Sequence, residues 1–371
     1  MLGELLTPWH RPEYRIRILS SIWTASVLGL LACHTDAIVS PPISTTTPLN
    51  SGAPTRLTVN PDQDYWPAWT QDGRGVLYAF VDQQNPAHRC LGLLPPDGGT
   101  RLWQLCDNRA VRADTLSSYT AFALDSTGRL LLVEAVSPPG AFASFPVAIR
   151  LQLTDTATPY VRSTLLTLPV TVGHTVVTWL SDIAWTGPNS FLALGQQFTS
   201  QSYPSPCSGR FACIDSLFGA NGIVIKGTLA GSGATLEPVV GTDSATGYSV
   251  VDDGASIAFI RGADGRLFEV ALSGGPVDSV ATILPGHATL LGLACRSDVC
   301  LVAAGSQLME VSLTDGTIHV VAAAGLIATP ILSPISRDVV AQIGGAAGHI
   351  ASSHHLEWSD LYLYKDVFPT P

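Results

Sequence analysis

Few residues of this 371-residue chain combine types and spacings that could carry chemistry. Asp62 and Asp64 stand beside Tyr65, Trp66 and Trp69, and two carboxylates next to stacking rings are what glycoside hydrolysis requires. The same aspartates serve equally well as turn caps that bond to backbone. His349, His354 and His355 are candidate zinc or copper ligands, but with no cysteine or carboxylate pair nearby a solvated loop is the expectation. Asp243, Asp252 and Asp253 lack the alternating oxygen ligands and closing glutamate of an EF-type calcium loop. A Gly-x-Ser-x-Gly elbow and a Walker-type phosphate loop are both missing from the sequence. No catalytic residue, metal or cofactor is therefore assigned, and the chain is expected to be non-catalytic.

Composition narrows the function classes further. Lys and Arg total 19 against 29 Asp and Glu, a formal charge of −10, and no basic run provides the footprint of a nucleic-acid-binding protein. Apolar residues make up 46% of the chain and charged residues 13%, enough for a sizeable core and too apolar for intrinsic disorder. Six of the seven cysteines fall into three close pairs, Cys90/Cys106, Cys207/Cys213 and Cys295/Cys300. Fifteen connectivities exist for six cysteines, and the clustering favours the three local ones. Zinc ligation is the rival reading, for which four or five intervening residues and no adjacent histidine are a poor match. Disulfides imply an oxidising compartment.

The seventh cysteine, Cys33, ends the apolar run Ile18–Cys33, which follows Arg11, Arg15 and Arg17. The run is too short and too diluted by Ser20, Ser21, Thr24 and Ser26 for a membrane span, and it has the length of a secretory signal. Leu30-Leu31-Ala32-Cys33 resembles the lipobox of bacterial lipoproteins, which implies cleavage after residue 32 and lipidation of Cys33. Losing residues 1–32 removes three arginines and two glutamates, so the mature chain carries −11. Residue 34 is His rather than Asp, and by the same resemblance this favours the outer membrane facing the periplasm over the inner membrane. Residues 33–54 then form a Pro-, Ser- and Thr-rich tether that holds the folded part away from the lipid surface.

From residue 55 onward, short β-rich runs are separated by Gly, Asp and Pro turns, an all-β pattern. Strand–turn–strand units recur at 64–81, 119–136, 180–198, 248–262, 290–305 and 328–344. Each leads into a second strand pair, as at 265–283 and 306–323, so six units of about four strands predict a six-bladed β-propeller over 55–368. Asp72-Gly73 suits the first hairpin turn because these residues tolerate positive φ.

The first unit carries a family likeness. Asp64, Pro67-Ala68-Trp69-Thr70, Asp72-Gly73-Arg74 and Tyr78-Ala79-Phe80 resemble the WD40-like repeats of TolB-type propellers. Later units echo only the turn, at Gly128-Arg129 and Asp264-Gly265-Arg266. The resemblance implies that Arg56-Leu57-Thr58-Val59 joins the last blade beside 360–365 and closes the ring. It also implies that residues just before a blade's first strand surround the mouth of a central channel. Asp64, Trp66, Asp182 and Asp252 are the candidates there, whereas Trp69, Trp185, Phe122 and Phe259 are expected to pack between blades.

The expected function is that of a lipid-anchored envelope protein whose propeller face binds another protein. The insert at 198–222, stapled by Cys207 and Cys213, would be the partner-specific loop. The alternatives are a glycan or small ligand at the channel mouth, or a carboxylate-based hydrolase or lyase there.

Overall fold

The computed structural model describes residues 54–58, 63–81, 89–106, 116–137, 148–199, 221–251, 254–261, 265–283, 290–323, 326–344 and 359–367. The signal segment, Cys33, the tether, Asp252, the Cys207/Cys213 pair and the three histidines at 349–355 lie outside the described residues.

Among the described residues the chain forms strands and no helix, arranged as six antiparallel sheets taken in chain order. A short first strand, β1 (Thr55–Arg56), belongs to the sixth sheet. The first sheet comprises β2 (Gln63–Trp69), β3 (Val76–Val81), β4 (Arg89–Leu94) and β5 (Trp103–Cys106). The second comprises β6 (Leu116–Leu124), β7 (Arg129–Ser137), β8 (Ala148–Asp155) and β9 (Ser163–Leu168). The third has five strands, β10 (Val170–Val172), β11 (Thr175–Gly187), β12 (Ser190–Thr199), β13 (Asn221–Ala230) and β14 (Gly233–Pro238). The fourth runs β15 (Ala245–Val251), β16 (Ser256–Arg261), β17 (Arg266–Ala271), β18 (Asp278–Thr282). The fifth runs β19 (Leu290–Arg296), β20 (Val299–Ala304), β21 (Gln307–Ser312), β22 (Ile318–Ala323). The sixth is β23 (Leu326–Leu332), β24 (Val339–Gly344) and β25 (Ser359–Tyr364), with β1 paired antiparallel to β25 through Thr55↔Leu363 and Arg56↔Tyr362. This is a six-bladed β-propeller. The one blade with more than four strands arises because β11 is thirteen residues long, and its first residues pair with β10 across a turn at Gly173 (φ +60°).

The core is divided among the seams between sheets. Six clusters of buried apolar side chains occur, one for each pair of neighbouring sheets around the ring. Strand periodicity explains this. Successive side chains point to opposite faces, and a blade has a neighbour on both faces, so its central strands are largely apolar on both. On β24, Val339, Ala341 and Ile343 pack toward the fifth sheet while Val340 packs toward the first. Each such fully buried Val, Leu or Ile contributes roughly 1.5–3 kcal/mol. The 2–3 seam is held by Leu131, Leu151, Phe191 and Ile225, all at 0% exposure.

Turn chemistry fixes where each hairpin reverses. At the β2–β3 turn the Thr70 hydroxyl donates to Asp72 Oδ1 (2.7 Å), the Gly73 N–H reaches the Thr70 carbonyl (2.9 Å), and Gly73 adopts φ +68°. A Cβ at Gly73 would also lie 2.5 Å from Ile335 Cγ1, so the position needs glycine twice over. The equivalent β6–β7 turn is tied by Asp125, which accepts from the Thr127 N–H and hydroxyl (2.8 Å each) and from the Arg129 N–H (2.9 Å) and Nε (2.7 Å). Cys90 faces Cys106 across β4–β5, and Cys295 faces Cys300 across β19–β20; both pairs are disulfide-bonded.

Candidate functional site

The strands that open each sheet, β2, β6, β11, β15, β19 and β23, converge on a central cavity of about 440 Å³. Every one of them carries a β-bulge, located by a register shift against its partner at Tyr65/Ala68, Tyr119/Ala121, Ser181/Ala184, Ala245/Gly247, Leu290/Gly292 and Ala328/Ile331. Five of the six bulges fall into two kinds, and the sixth, in the fifth sheet, has Leu291 as its extra residue. In the second and fourth sheets the extra residue is a threonine whose hydroxyl donates to a carbonyl of the partner strand, Thr120 to Val133 (3.3 Å) and Thr246 to Ile260 (3.4 Å). In the first, third and sixth sheets the bulge begins with a residue in the left-handed region, Trp66 (φ 51°), Asp182 (φ 45°) and Thr329 (φ 47°). For a bulky or β-branched side chain that conformation is an outlier, and bulges of this type re-aim a side chain. All three residues line the cavity.

The lining runs from the bulges to the far ends of the inner strands and includes Trp69, Gln71, Phe122, Trp185, Tyr248 and Pro334. The cavity therefore occupies the half of the channel next to the β2–β3 and β23–β24 turns. The strand starts, where the sequence placed the mouth, lie at the other end.

Trp66 and Asp182 of the sequence candidates face this cavity, Trp66 only partly buried. Asp64 does not line it. Two residues before the bulge, it is fully buried (0% exposed) beside the sixth sheet, its carbonyl accepting from the Ser359 hydroxyl at 2.6 Å. Gln342 completes that seam. Its Oε1 accepts the Trp66 N–H (3.3 Å) and its Nε2 donates to Ser359 Oγ (2.9 Å). Tyr65, which faces the second sheet, meets Trp66 edge-on with ring centroids 5.0 Å apart.

The indoles have a double role. Trp69 Nε1 points to the Ile331 carbonyl (3.4 Å) and Trp185 Nε1 donates to the Ala123 carbonyl (3.1 Å), each joining two blades while its ring borders the cavity. Phe259 is fully buried against Phe268. The Tyr248 hydroxyl donates to the Asp182 carbonyl at 2.6 Å, joining the third and fourth sheets at the bulge itself. Burial first, and the nearby Asp182 charge second, push the Tyr248 phenol well above its ordinary pKa, so it remains a donor. Gly292 permits the fifth sheet to approach the sixth, since a Cβ there would lie 2.6 Å from Pro330 Cδ.

Asp182 is the one ionisable carboxylate among the described lining residues, and no Lys, Arg or His joins it. Three or more His, Cys, Asp or Glu side chains do not come together anywhere among the described residues. A calcium ion takes six to eight oxygen ligands, several of them carboxylates, and the described lining does not fit one. The signal sequence reasoning missed is the bulge, whose residue types (Trp, Asp, Thr) share nothing in sequence.

Fold and cavity together define a six-bladed propeller with a central cavity of about 440 Å³. The chain matches no protein-family model and no characterised sequence. Its fold is that of a luciferin-regenerating enzyme (TM-score 0.53, 11% identity, 84% of this chain and 95% of that one). It is likewise similar to a gluconolactonase from Xanthomonas campestris (0.52, 13%, 88% and 94%) and to the calcium-binding protein regucalcin from Agrobacterium tumefaciens (0.50, 12%, 84% and 93%). These likenesses show the six-bladed fold. The TolB-type resemblance rests on the residues of the first repeat alone.

The expectation of a non-catalytic chain does not stand. It followed from a missing serine-hydrolase elbow and metal motif, and the propellers similar to this chain include enzymes whose fold is the propeller itself. A missing serine-hydrolase elbow therefore excludes nothing.

Proposed function

We propose that this chain binds a small organic molecule in the bulge-lined half of its channel and hydrolyses an ester or lactone bond there. The observation that carries the reading is the convergence of six bulged strands on a cavity of about 440 Å³ whose lining includes Asp182, held in a left-handed backbone. That volume is in the range of small-ligand pockets, and strained backbone clusters at functional sites. The gluconolactonase similar in fold favours the hydrolytic alternative over the scaffold.

In the proposed reaction the Asp182 carboxylate accepts a proton from water as the water oxygen bonds to the acyl carbon. The acyl C–O bond then breaks, and the departing alkoxide takes the proton back from Asp182, giving an acid and an alcohol. One carboxylate suffices for this, whereas a glycosidase needs two.

Lipidation of Cys33 and an envelope location complete the proposal. The Cys90–Cys106 and Cys295–Cys300 disulfides support it, because such bonds persist outside the reducing cytosol. The test is hydrolysis of a panel of small lactones and aryl esters by the full chain. Turnover that falls at least about 100-fold in Asp182→Asn is expected; turnover unchanged by that substitution, or none across the panel, would overturn the reading.

A further inference from the structure

Among the described lining residues, Thr329 is the one whose side chain holds a buried polar atom without a hydrogen-bond partner. The bulges of the second and fourth sheets show what a threonine does there when it serves the sheet. Thr120 and Thr246 donate to the Val133 and Ile260 carbonyls of their partner strands. Thr329 makes no such bond, and its backbone is left-handed (φ 47°), a costly conformation for a β-branched residue. That conformation is held from two sides. Pro330 follows it, and Gly292 of the fifth sheet lies so close that a Cβ there would be 2.9 Å from Thr329 Cα. Gln71, also in the lining, is exposed at the β2–β3 turn, so water reaches its amide. The Thr329 hydroxyl has no such outlet. A buried hydroxyl left unmatched carries a desolvation penalty, which a bond to a ligand would relieve.

We infer that the Thr329 hydroxyl is the hydrogen-bond donor to the carbonyl oxygen of the substrate. The sixth sheet stands opposite the third in the ring of six. Thr329 and Asp182 begin bulges at the same step of their inner strands, directly after Ala328 and Ser181. A substrate in the cavity therefore lies between these two residues. An ionised carboxylate only accepts hydrogen bonds, whereas a hydroxyl also donates. The division suits acyl transfer to water. Asp182 takes the proton of the attacking water, and Thr329 donates to the oxygen on which charge gathers as the acyl carbon becomes tetrahedral. Rotation about χ1 exchanges the threonine hydroxyl and methyl without moving the backbone, which brings a buried hydroxyl round to a ligand. A carbonyl compound is selected over one of the same shape without the oxygen, because the second leaves the hydroxyl unmatched. The inference rests on the proposed reading of the cavity as an ester or lactone site and names the group that sets its specificity.

Two measurements on the full chain test this. The first is turnover of the best lactone or aryl ester of the panel by Thr329→Val, which keeps the β-branched shape, and by Thr329→Ser, which keeps the hydroxyl. Thr329→Val should lower kcat/KM about tenfold while its denaturation midpoint equals or exceeds that of wild type, and Thr329→Ser should retain most of the activity. The second is binding, followed by tryptophan fluorescence, of cyclohexanone and methylenecyclohexane, which share one shape and differ in the carbonyl oxygen. The preference for the ketone over the alkene should fall about tenfold in Thr329→Val. Turnover and ketone preference both unchanged in that variant, or a midpoint below wild type, would overturn the Thr329 assignment and leave the Asp182 reading in place. No turnover in wild type, with a ketone preference that depends on Thr329, would overturn the hydrolytic reading and support the assignment. Silence from the panel and from both probes would overturn the two together.

Discussion

Asp64 and Asp182 lie on inner strands of two blades, and the sequence gives no reason to treat them differently. Their positions relative to the bulge separate them. Asp182 begins its bulge, as Trp66 and Thr329 begin theirs, and it lines the cavity. Asp64 lies two residues before the bulge of β2, where the third and sixth sheets place Leu180 and Ile327, each at 0% exposure. The same side chain is thus a piece of core in one half of the channel and a site group in the other. A β-bulge is what divides the two halves, because it takes a residue out of the alternation that buries every second side chain.

Breaking the buried half should have the largest effect. Asp64→Ala is expected to destabilise the fold by about 2 kcal/mol, since it keeps the carbonyl that Ser359 bonds but empties a side-chain site at 0% exposure beside the sixth sheet. Chemical denaturation would register this as a lower midpoint, and a midpoint equal to wild type would show that the seam does not need the carboxylate.

Removing a cavity ring that also joins blades tests whether the two halves are independent. Trp185→Phe keeps the ring and loses the bond to Ala123, for an expected cost of about 1 kcal/mol. A loss several times larger would mean that seam and site cannot be separated.

The turn at Asp125 gives a pH signature. Burial raises its pKa, but the bonds from Thr127 and Arg129 outweigh that, so the folded carboxyl titrates below its reference value of 3.8. Its stabilisation is complete above that value and disappears as the pH falls through the lower, folded pKa. Below about pH 4 the wild-type chain should therefore lose stability more steeply than Asp125→Asn, which lacks the titrating group. Parallel acid unfolding curves would remove Asp125 from the account.

The smallest effect is expected at Thr329, whose left-handed backbone is strained and whose buried hydroxyl has no hydrogen-bond partner. Thr329→Gly should change stability by less than about 1 kcal/mol, because relief of strain offsets the added chain entropy.

The repeating hairpins were legible in the sequence, because alternation and turn chemistry are local. Asp72-Gly73 sits in the first turn, and the strand–turn–strand echoes fall on the inner strand pairs of all six sheets. Two of the three local cysteine pairs lie among the described residues as disulfides. The burial of Asp64 was not legible, because it is decided by Gln342 and Ser359, which reach this strand from 276 and 295 residues away. Nor was the cavity's end of the channel, since a bulge is a property of pairing register and Trp66, Asp182 and Thr329 share no residue type.

The central claim is that the bulge separates structure from function along the channel. The most direct test measures unfolding free energy and ester turnover together in Asp64→Asn and Asp182→Asn. The account predicts that Asp182→Asn unfolds within about 0.5 kcal/mol of wild type and loses turnover, the asparagine tolerating the left-handed backbone. Asp64→Asn should lose stability and, where folded, keep its turnover. Full turnover in Asp182→Asn would contradict the account.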